Sequence, residues 1–355
     1  MRCALPCEDM SAAAKPVWFG ILLLPNFTLT AFSGLVDMLR LASDEGDNSR
    51  PVRCCWSLIG DAKRPVRASC GIETTPWEDL GDPARFDYVV VVGGLLRKGS
   101  EPSQATLDFI QAVGKTKTTL VGICTGTFAL MRAGVLAKHR ICVSWFHYWD
   151  FLEQFPHVDH TRLVADRLFV MDDRRITCSG GRASIDVAAA ILKRHIDLST
   201  VQKALRILLV DRADTINAPQ PHPPGLEPSA HPIVKRAMLL MEQHVSKTLT
   251  LEEMAKKLNV SSRQFERVFK ADTGRTPQAF ARAMRLRVAA WTLLNTDKTI
   301  SAVSSDCGFS DASHMGREFR QIYAVSPSTF RREKRMAGLD EVNYQEIFPN
   351  RTEFY

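Results

Sequence analysis

Apolar and polar positions between residues 248 and 332 follow a helical spacing, and the pattern returns after 50 residues. Arg267-Val-Phe-Lys270 recurs as Arg317-Glu-Phe-Arg320, and Thr276-Pro277 recurs as Ser326-Pro327. Such a repeat indicates one supersecondary unit used twice. Each copy predicts a short helix, a turn and a second helix, whose apolar stripe faces inward and whose opposite face is charged.

The breaks between the helices are also readable in each copy. Asn259-Val-Ser261 interrupts the first copy, and Gly308 supplies the permissive turn residue of the second. Pro277 begins a longer apolar helix that runs to Leu294 between the copies. Because this one helix would hold the second helices of the two copies at a fixed separation, those two helices could enter successive major-groove turns about 34 Å apart. We therefore predict a bipartite DNA-binding domain.

A different pattern occupies the N-terminal two thirds, where continuous apolar runs alternate with helical periodicity. The predicted strands are residues 17–24, 55–59, 88–92 and 119–123, followed by a hairpin of 168–170 and 175–178. The predicted helices are residues 29–41, 104–113, 127–133, 183–195 and 198–210. This alternation predicts an α/β fold with a doubly wound, mostly parallel, flavodoxin-like sheet, followed by the all-α domain.

These patterns divide the chain into five parts. We predict a disordered leader at 1–15, an α/β domain at 16–212, a linker at 213–230, a DNA-binding domain at 231–336 and a polar tail at 337–355. The linker is assigned because six prolines fall between Ala218 and Pro232, a composition typical of a semi-rigid spacer.

Charge is distributed unevenly along the chain. The whole sequence carries +7, whereas residues 228–336 hold 19 Lys and Arg against 10 Asp and Glu, or +9, which leaves −2 for the rest. Positive charge is thus concentrated where the repeat lies, as a phosphate-binding surface requires. If the repeat were absent, the same charge would be equally typical of solvated helices.

Cysteine usage and hydropathy restrict the setting. The nine cysteines form no zinc-binding pattern, so we expect reduced thiols in the cytoplasm, without a metal or a cofactor. The longest apolar run, Val17–Leu24, is too short to cross a bilayer, and no membrane association is expected.

The repeat region resembles the DNA-binding domain of the AraC/XylS transcription regulators over about a hundred residues. The resemblance is carried by Leu251-Glu-Glu-Met-Ala255, Ser261–Lys270, Thr273–Pro277, Arg285-Leu-Arg287, Cys307–Asp311 and Val325-Ser-Pro327. Ser305 departs from the alanine usual in that family. We expect base contacts from Arg263, Glu266 and Arg267 in the first copy and from Ser313, His314 and Arg317 in the second. Phosphate contacts are expected from Lys270, Arg320 and Gln278.

Gly122-Ile-Cys124-Thr-Gly126 is the most chemically suggestive stretch of the α/β domain. A strand that turns directly into a helix lifts the cysteine above the sheet edge, and a helix N-terminus lowers the pKa of a thiol. Such a thiol could act as a nucleophile, provided that a general base lies beside it.

The α/β domain resembles the PfpI-type class I glutamine amidotransferase-like superfamily, and more closely the sensor domain of GlxA-type AraC regulators. The matching stretches are Phe86–Gly94, Gly122–Leu130, Ala133–Leu136 and Thr177–Gly181. Enzymes of that superfamily have His where this chain has Ser144, and a Glu where Phe27–Val36 has no carboxylate. The resemblance therefore implies a catalytically disarmed, ligand-sensing domain with Cys124 as a vestige, unless His147 replaces the missing base.

Open α/β sheets bind ligands at the carboxyl ends of their strands. The candidate ligand residues are Asn26, Phe27, Gly93, Gly94, Cys124, Thr125, Trp145 and Phe146. Trp145, Phe146, Tyr148 and Trp149 could box a quaternary ammonium group, although such rings equally suit a core or a dimer interface. The resemblance to GlxA-type regulators implies an inducer of the carnitine, betaine or arginine type.

We therefore expect a sequence-specific transcription regulator, an activator of a catabolic operon that responds to a small amino-acid-like or quaternary amine inducer. Its expected partners are double-stranded DNA, the inducer, RNA polymerase and a second copy bound through the sensor domain. Two alternatives stay open: a Cys124-dependent amidase or glyoxalase-like hydrolase, and redox sensing through Cys124.

Overall fold

The computed structural model describes residues 15–45, 48–96, 99–211, 213–215, 217–221, 229 and 231–336. The chain separates into two compact units, Met1–Gln220 and Pro221–Tyr355. The predicted leader, apart from Lys15, and the predicted tail at 337–355 lie outside the described residues.

The first unit is built on a six-stranded sheet. The strands of this unit are Val17–Leu23 (β1), Cys54–Ile59 (β2), Val66–Arg67 (β3), Glu73–Thr74 (β4), Tyr88–Val92 (β5), Thr119–Ile123 (β6), Ile141–Cys142 (β7), Leu163–Val164 (β8), Phe169–Asp172 (β9) and Arg175–Cys178 (β10). The sheet has the order β2-β1-β5-β6-β10-β9, in which only β9 runs antiparallel to its neighbour. The short strands pair separately, β3 with β4 and β7 with β8.

Helices cover both faces of this sheet. They are Leu29–Ala42 (α1), Gln104–Gly114 (α2), Gly126–Arg132 (α3), Tyr148–Gln154 (α4), Ala183–Leu192 (α5) and Leu198–Ile207 (α6). The central strands β1 and β5 are buried along almost their whole length because they have helices on both sides. The predicted doubly wound, mostly parallel α/β fold is confirmed, with the predicted hairpin as its antiparallel edge.

Two predicted helix ends need correction. The helices expected to reach His195 and Val210 end at Leu192 and Ile207, and Leu209 follows with a left-handed φ of 56°. Residues 217–220 belong to the first compact unit. Backbone hydrogen bonds join Ala218 and Gln220 to residues 166–168 of that unit, which satisfies polar groups of the main chain.

The second unit is helical. Its helices are Pro232–Gln243 (α7), Leu251–Leu258 (α8), Ser262–Thr273 (α9), Pro277–Asn295 (α10), Ile300–Asp306 (α11), Ala312–Tyr323 (α12) and Pro327–Met336 (α13). Helices α9 and α12 begin and end at an offset of 50 residues, and each is capped at its N-terminus, by Ser261 and Asp311. The predicted repeat is therefore structural as well as sequential.

The repeat extends into the cores of the two halves. Phe269 meets Phe280 edge to face at 5.2 Å, and Phe319 meets Phe330 in the same way at 5.2 Å. Each pair fixes the second helix of its copy against the helix that follows, so both charged faces are presented by the same packing. In the described parts of the chain, no helix is long and apolar enough to span a membrane.

The repeat also predicts a stabilising substitution. Helix α9 ends at Gly274 with a φ of 73°, whereas the equivalent end of α12 is Ala324 with a φ of 59°. A left-handed alanine is strained by its Cβ, so Ala324→Gly should raise the free energy of unfolding by about 0.5–1 kcal/mol despite the greater entropy of unfolded glycine. Calorimetry of the full chain would measure it. Gly274→Ala is the matched control and should destabilise by about 1 kcal/mol; equal signs for the two variants would contradict the argument.

Candidate functional site

Cys124 stands on a sharp backbone elbow between β6 and α3. Its φ is 56°, and its N–H donates to the carbonyl of Cys178 at 3.0 Å, which ties the elbow to the end of β10. Gly180 lies directly against it, because a Cβ added there would come within 2.6 Å of the Cys124 Cβ. The elbow predicted from the sequence is thus held in place by close backbone packing.

The loop after β1 closes over the same edge of the sheet. Thr28 N–H donates to Gly93 O at 3.0 Å, and Leu95 N–H donates to Asn26 O at 3.1 Å. A Cβ on Gly94 would lie 1.9 Å from Asn26 O, so only glycine permits this approach. Six predicted ligand residues are brought together here: Asn26, Phe27, Gly93, Gly94, Cys124 and Thr125.

Two of these six contribute structure rather than an accessible side chain. The ring of Phe27 is fully buried against Phe32, and the hydroxyl of Thr125, also buried, donates to Gly94 O at 3.0 Å. Asn26 and Cys124 are only partly buried, and the amide of Asn26 donates to Ser100 Oγ at 2.9 Å. The partly buried polar side chains at this edge are therefore Asn26, Cys124 and the neighbouring Thr28.

Burial governs the acidity of the elbow thiol. It raises the pKa of Cys124 above its ordinary value of 9.0, while the hydroxyl of Thr28, 3.6 Å from Sγ, opposes the rise. The backbone N–H of Thr125, at the start of α3, also lowers this pKa as expected, but the loss of hydration outweighs both contributions and the net pKa is raised. Cys124 is a neutral thiol at physiological pH.

In the part of the chain that the structure describes, neither Ser144, which stands where the resembling enzymes have His, nor His147, the one candidate for a substitute base, is a hydrogen-bond partner of the Cys124 thiol. Ser144 instead caps a 3₁₀ turn, Trp145–His147, by accepting the N–H of Phe146 at 3.4 Å. The imidazole of His147 pairs through Nδ1 with Asp150 Oδ2 at 2.8 Å and stands edge-on to Phe128. The hydrogen-bonding side chain that the structure places on the Cys124 sulfur is the hydroxyl of Thr28.

The aromatic run divides into a buried and an accessible pair. Tyr148 and Trp149 are only 4% and 3% exposed, which favours the core alternative for these two rings. They start α4, whose inner face packs in the core. Trp145 and Phe146 lie perpendicular to each other with centroids 5.6 Å apart, and Phe146 is 50% exposed. Edge-to-face contacts of His147 with both Phe146 and Phe128 connect this pair to the elbow helix α3.

The second unit presents the two charged faces that the sequence predicts. On α9, Arg263, Arg267 and Lys270 are exposed and Glu266 is half-buried. On α12, Ser313, Arg317 and Arg320 are exposed, and Gln278 is exposed in the first turn of α10. His314 differs, because its ring stands edge-on to Phe309 and its Nδ1 pairs with Ser310 Oγ at 3.0 Å. His314 therefore organises the start of α12 as well as lying on its outer side.

One residue in this unit went unassigned from the sequence. Arg285, on α10, donates to Thr248 Oγ1 at 3.1 Å and to Gly308 O at 2.9 Å, and its guanidinium covers the Phe309 ring at 4.9 Å. Thr248 leads into the first copy, whereas Gly308 and Phe309 form the turn of the second. Arg285 thus joins the two copies. Its place within the apolar stripe of α10 is the sequence feature that could have indicated this role.

Among the described residues, no group of three His, Cys, Asp or Glu side chains could hold a metal ion. The functional groups of the first unit are a neutral thiol, an amide and two accessible aromatic rings. The second unit presents two cationic helix faces.

Comparison with known proteins covers both units. Residues 27–194 match the DJ-1/PfpI family, and residues 254–333 match a family described as a helix-turn-helix domain. The chain is 31% identical over 325 residues to the HTH-type transcriptional regulator CdhR of Pseudomonas aeruginosa, which covers 89% of this chain and 91% of that protein. It is 29% identical over 317 residues to the regulator GbdR of the same species, covering 88% and 83%. It is 25% identical over 323 residues to the regulator GlxA of Rhizobium meliloti, covering 88% and 95%.

The raised pKa makes Cys124 a slow thiol. Because fewer than about one in a hundred such thiols is ionised at pH 7, alkylation by iodoacetamide should be slow there and accelerate only above about pH 9. Mass spectrometry of the labelled chain would follow it, with the exposed Cys70 as internal control. Thr28→Val removes the hydroxyl that opposes the rise and should slow the reaction further. Half-maximal labelling of Cys124 near neutral pH would contradict this account.

Proposed function

The chain belongs to the AraC-type transcription regulators that join a DJ-1/PfpI domain to a helix-turn-helix domain, and we propose that its first unit senses a small amine while its second unit reads two DNA half-sites. It is a DNA-binding transcription regulator. The proposal concerns the residues that read DNA, the class of inducer and the way the first unit is used.

One observation carries the DNA-reading assignment. Arg267 and Arg317 occupy equivalent positions on α9 and α12, both are exposed, and each helix is anchored by the same phenylalanine pair. An arginine on a helix in the major groove donates two hydrogen bonds to guanine O6 and N7. Arg263, Glu266, Ser313 and His314 lie on the same helices as further base readers, and Lys270, Arg320 and Gln278 are placed for phosphates.

The state of the elbow favours sensing in the first unit. A neutral thiol that pairs with a hydroxyl lacks the activated nucleophile that hydrolysis needs, and general base assistance is typically worth about 10²–10⁴ in rate. The crevice nevertheless keeps polar groups, Asn26 and Cys124, at the carboxyl ends of the strands, where open sheets bind ligands. We infer that binding at this edge is read out as regulation.

The accessible rings indicate the class of inducer. Trp145 and Phe146 lie perpendicular to each other, and the negative faces of such rings attract a quaternary ammonium or guanidinium group. Carboxylate-bearing amines of the betaine, carnitine or arginine type combine such a cation with an anion that Asn26 could bind through its amide. The inducer class is therefore an amino-acid-like or quaternary amine.

The remaining assignments follow from this role. The regulator acts in the cytoplasm on double-stranded DNA, as an activator of a catabolic operon that contacts RNA polymerase, and it dimerises through the first unit. Hydrolysis by Cys124 is the second candidate, because the left-handed elbow keeps the geometry of a nucleophile. Turnover of an amide or a 2-oxoaldehyde by the wild-type chain, abolished in Cys124→Ser, would favour that candidate instead.

The two arginines give matched DNA-binding predictions. On a site selected from random sequences by the wild-type protein, Arg267→Ala and Arg317→Ala should each cost about 1–3 kcal/mol of binding free energy. Fluorescence anisotropy at fixed salt would measure both, and Arg206→Ala, an exposed arginine of the first unit, is the control. Lys270→Ala should weaken cognate and random DNA alike and lower the salt slope by about 1. Wild-type affinity in Arg267→Ala would remove that residue from the interface.

The inducer class is tested by calorimetric titration with glycine betaine, carnitine and arginine. A ring contributes about 1–2 kcal/mol to a desolvated cation, so Trp145→Ala and Phe146→Ala should each weaken binding about 5–30-fold. Trp77, a tryptophan of the same unit that is 36% exposed, provides the control Trp77→Ala. Unchanged affinity in both aromatic variants would move the binding site away from this turn.

A further inference from the structure

Gln220 is a buried amide at the last position of the first unit. It is 2% exposed, and its Oε1 accepts the N–H of Trp145 at 2.9 Å. Its Nε2 donates to the carbonyls of Val143 and Arg167, both at 2.8 Å. Each polar atom of this side chain is therefore hydrogen-bonded. A fully satisfied buried amide is costly to release, because any partner it leaves loses its bond in a dry environment.

The segment that carries Gln220 is held on the first unit by an isolated antiparallel β-bridge between Arg167 and Pro219. Leu168 N–H donates to Ala218 O at 3.1 Å, and Gln220 N–H donates to Asp166 O at 3.0 Å. On the surface, Arg167 donates to the side chain of Asn217 at 2.8 Å. Gln220 is thus the residue through which this bridged segment contacts the aromatic turn.

A second tie connects the start of the same segment to the elbow side of the crevice. Asp214 N–H donates to the buried carboxylate of Asp186 at 2.8 Å, and Arg182 pairs with Asp214. Arg182 follows Gly180-Gly181, of which Gly180 packs against Cys124. Asp214 is therefore bonded to the start of α5 beside the elbow, and Gln220 to the aromatic turn. After Gln220 the sequence holds four prolines before His231.

We infer that Gln220 is the positioning residue that couples the Trp145–Phe146 turn to the segment leading into the DNA-binding unit. A ligand on the two rings restrains the turn, the restrained Trp145 N–H strengthens the hold on Gln220, and residues 217–220 become more firmly docked. The inference rests on the proposed sensing function and adds the contacts through which ligand binding at the rings affects residues 217–220.

The hydrogen-bonded tie is tested first without ligand, by hydrogen exchange of the full chain measured by mass spectrometry. Gln220→Leu should speed exchange about tenfold or more in two peptides, the one that contains Trp145 and the one that contains residues 217–220. Asn217→Ala, which removes a surface bond of the same segment, should speed exchange in 217–220 alone. Unchanged exchange at Trp145 in Gln220→Leu would overturn the inference.

A second variant keeps the test valid if Gln220→Leu folds poorly. In Gln220→Glu, an ionised carboxylate would face the carbonyls of Val143 and Arg167, so both peptides should exchange quickly at about pH 8. Protonation restores one donor, and after correction for intrinsic rates the protection should return as the pH falls towards about 5. If residue 220 only filled space, protection would not recover at low pH. A Gln220→Glu variant without this recovery would count against the coupling.

The coupling itself is tested with saturating glycine betaine, or whichever of carnitine and arginine the wild-type chain binds. Wild-type residues 217–220 should exchange several-fold more slowly with the probe bound, whereas Gln220→Leu should bind the probe and show no change there. A probe-dependent change that persists in Gln220→Leu would overturn the inference. Failure of the wild type to bind any probe would contradict the proposed inducer class, and the ligand-free experiment would then decide the hydrogen-bonded tie.

Discussion

The half-buried guanidinium of Arg285 joins the two copies of the DNA-reading repeat. Arg285 bonds to the segment that enters the first copy and to the turn of the second, and Gly308 lies so close to that segment that a Cβ would come within 2.6 Å of Val245 O. The pKa of Arg285 is lowered by burial, yet a guanidinium stays charged at physiological pH, so the contact persists. Rigid spacing matters energetically: once one helix has bound, the second meets its half-site at a high effective concentration, which flexible copies would forfeit.

Close backbone packing plays the corresponding part in the first unit. The crevice at the sheet edge is walled largely by main chain, since Gly94 and Gly180 admit the neighbouring loop and the elbow without a side chain between them. The same compactness removes water from Cys124 and keeps its thiol protonated. The geometry of a nucleophile elbow is thus retained around a protonated thiol. Under the proposed sensing function, discrimination between ligands would fall to Asn26 and the two accessible rings.

Features that depend on periodicity were predictable, and features that depend on burial were not. Continuous apolar runs identified the parallel strands, and the 50-residue offset identified α9 and α12. An aromatic run, by contrast, has the same sequence pattern whether its rings face a ligand or the core, so the sequence left the burial of Tyr148 and Trp149 open. The acidity of Cys124 depends on desolvation by elements distant in the chain. Gln220 sits in a proline-rich stretch that looks solvated, yet its partners lie 53 to 77 residues away.

The energetics of sensing bear on why two copies would act together. A ligand shifts a conformational equilibrium only by its difference in affinity for the two states, and a change from 1:99 to 99:1 requires about 5.5 kcal/mol. Two aromatic faces contribute about 4 kcal/mol to a desolvated cation, even if neither contact forms in the other state. The two rings of one crevice alone therefore fall short of a complete switch. Two crevices that share one equilibrium in a dimer would supply the free energy of a complete switch. A site that hydrolysed its ligand would supply it only until the ligand was consumed. An unreactive thiol and the proposed dimer would therefore both favour a complete and lasting response.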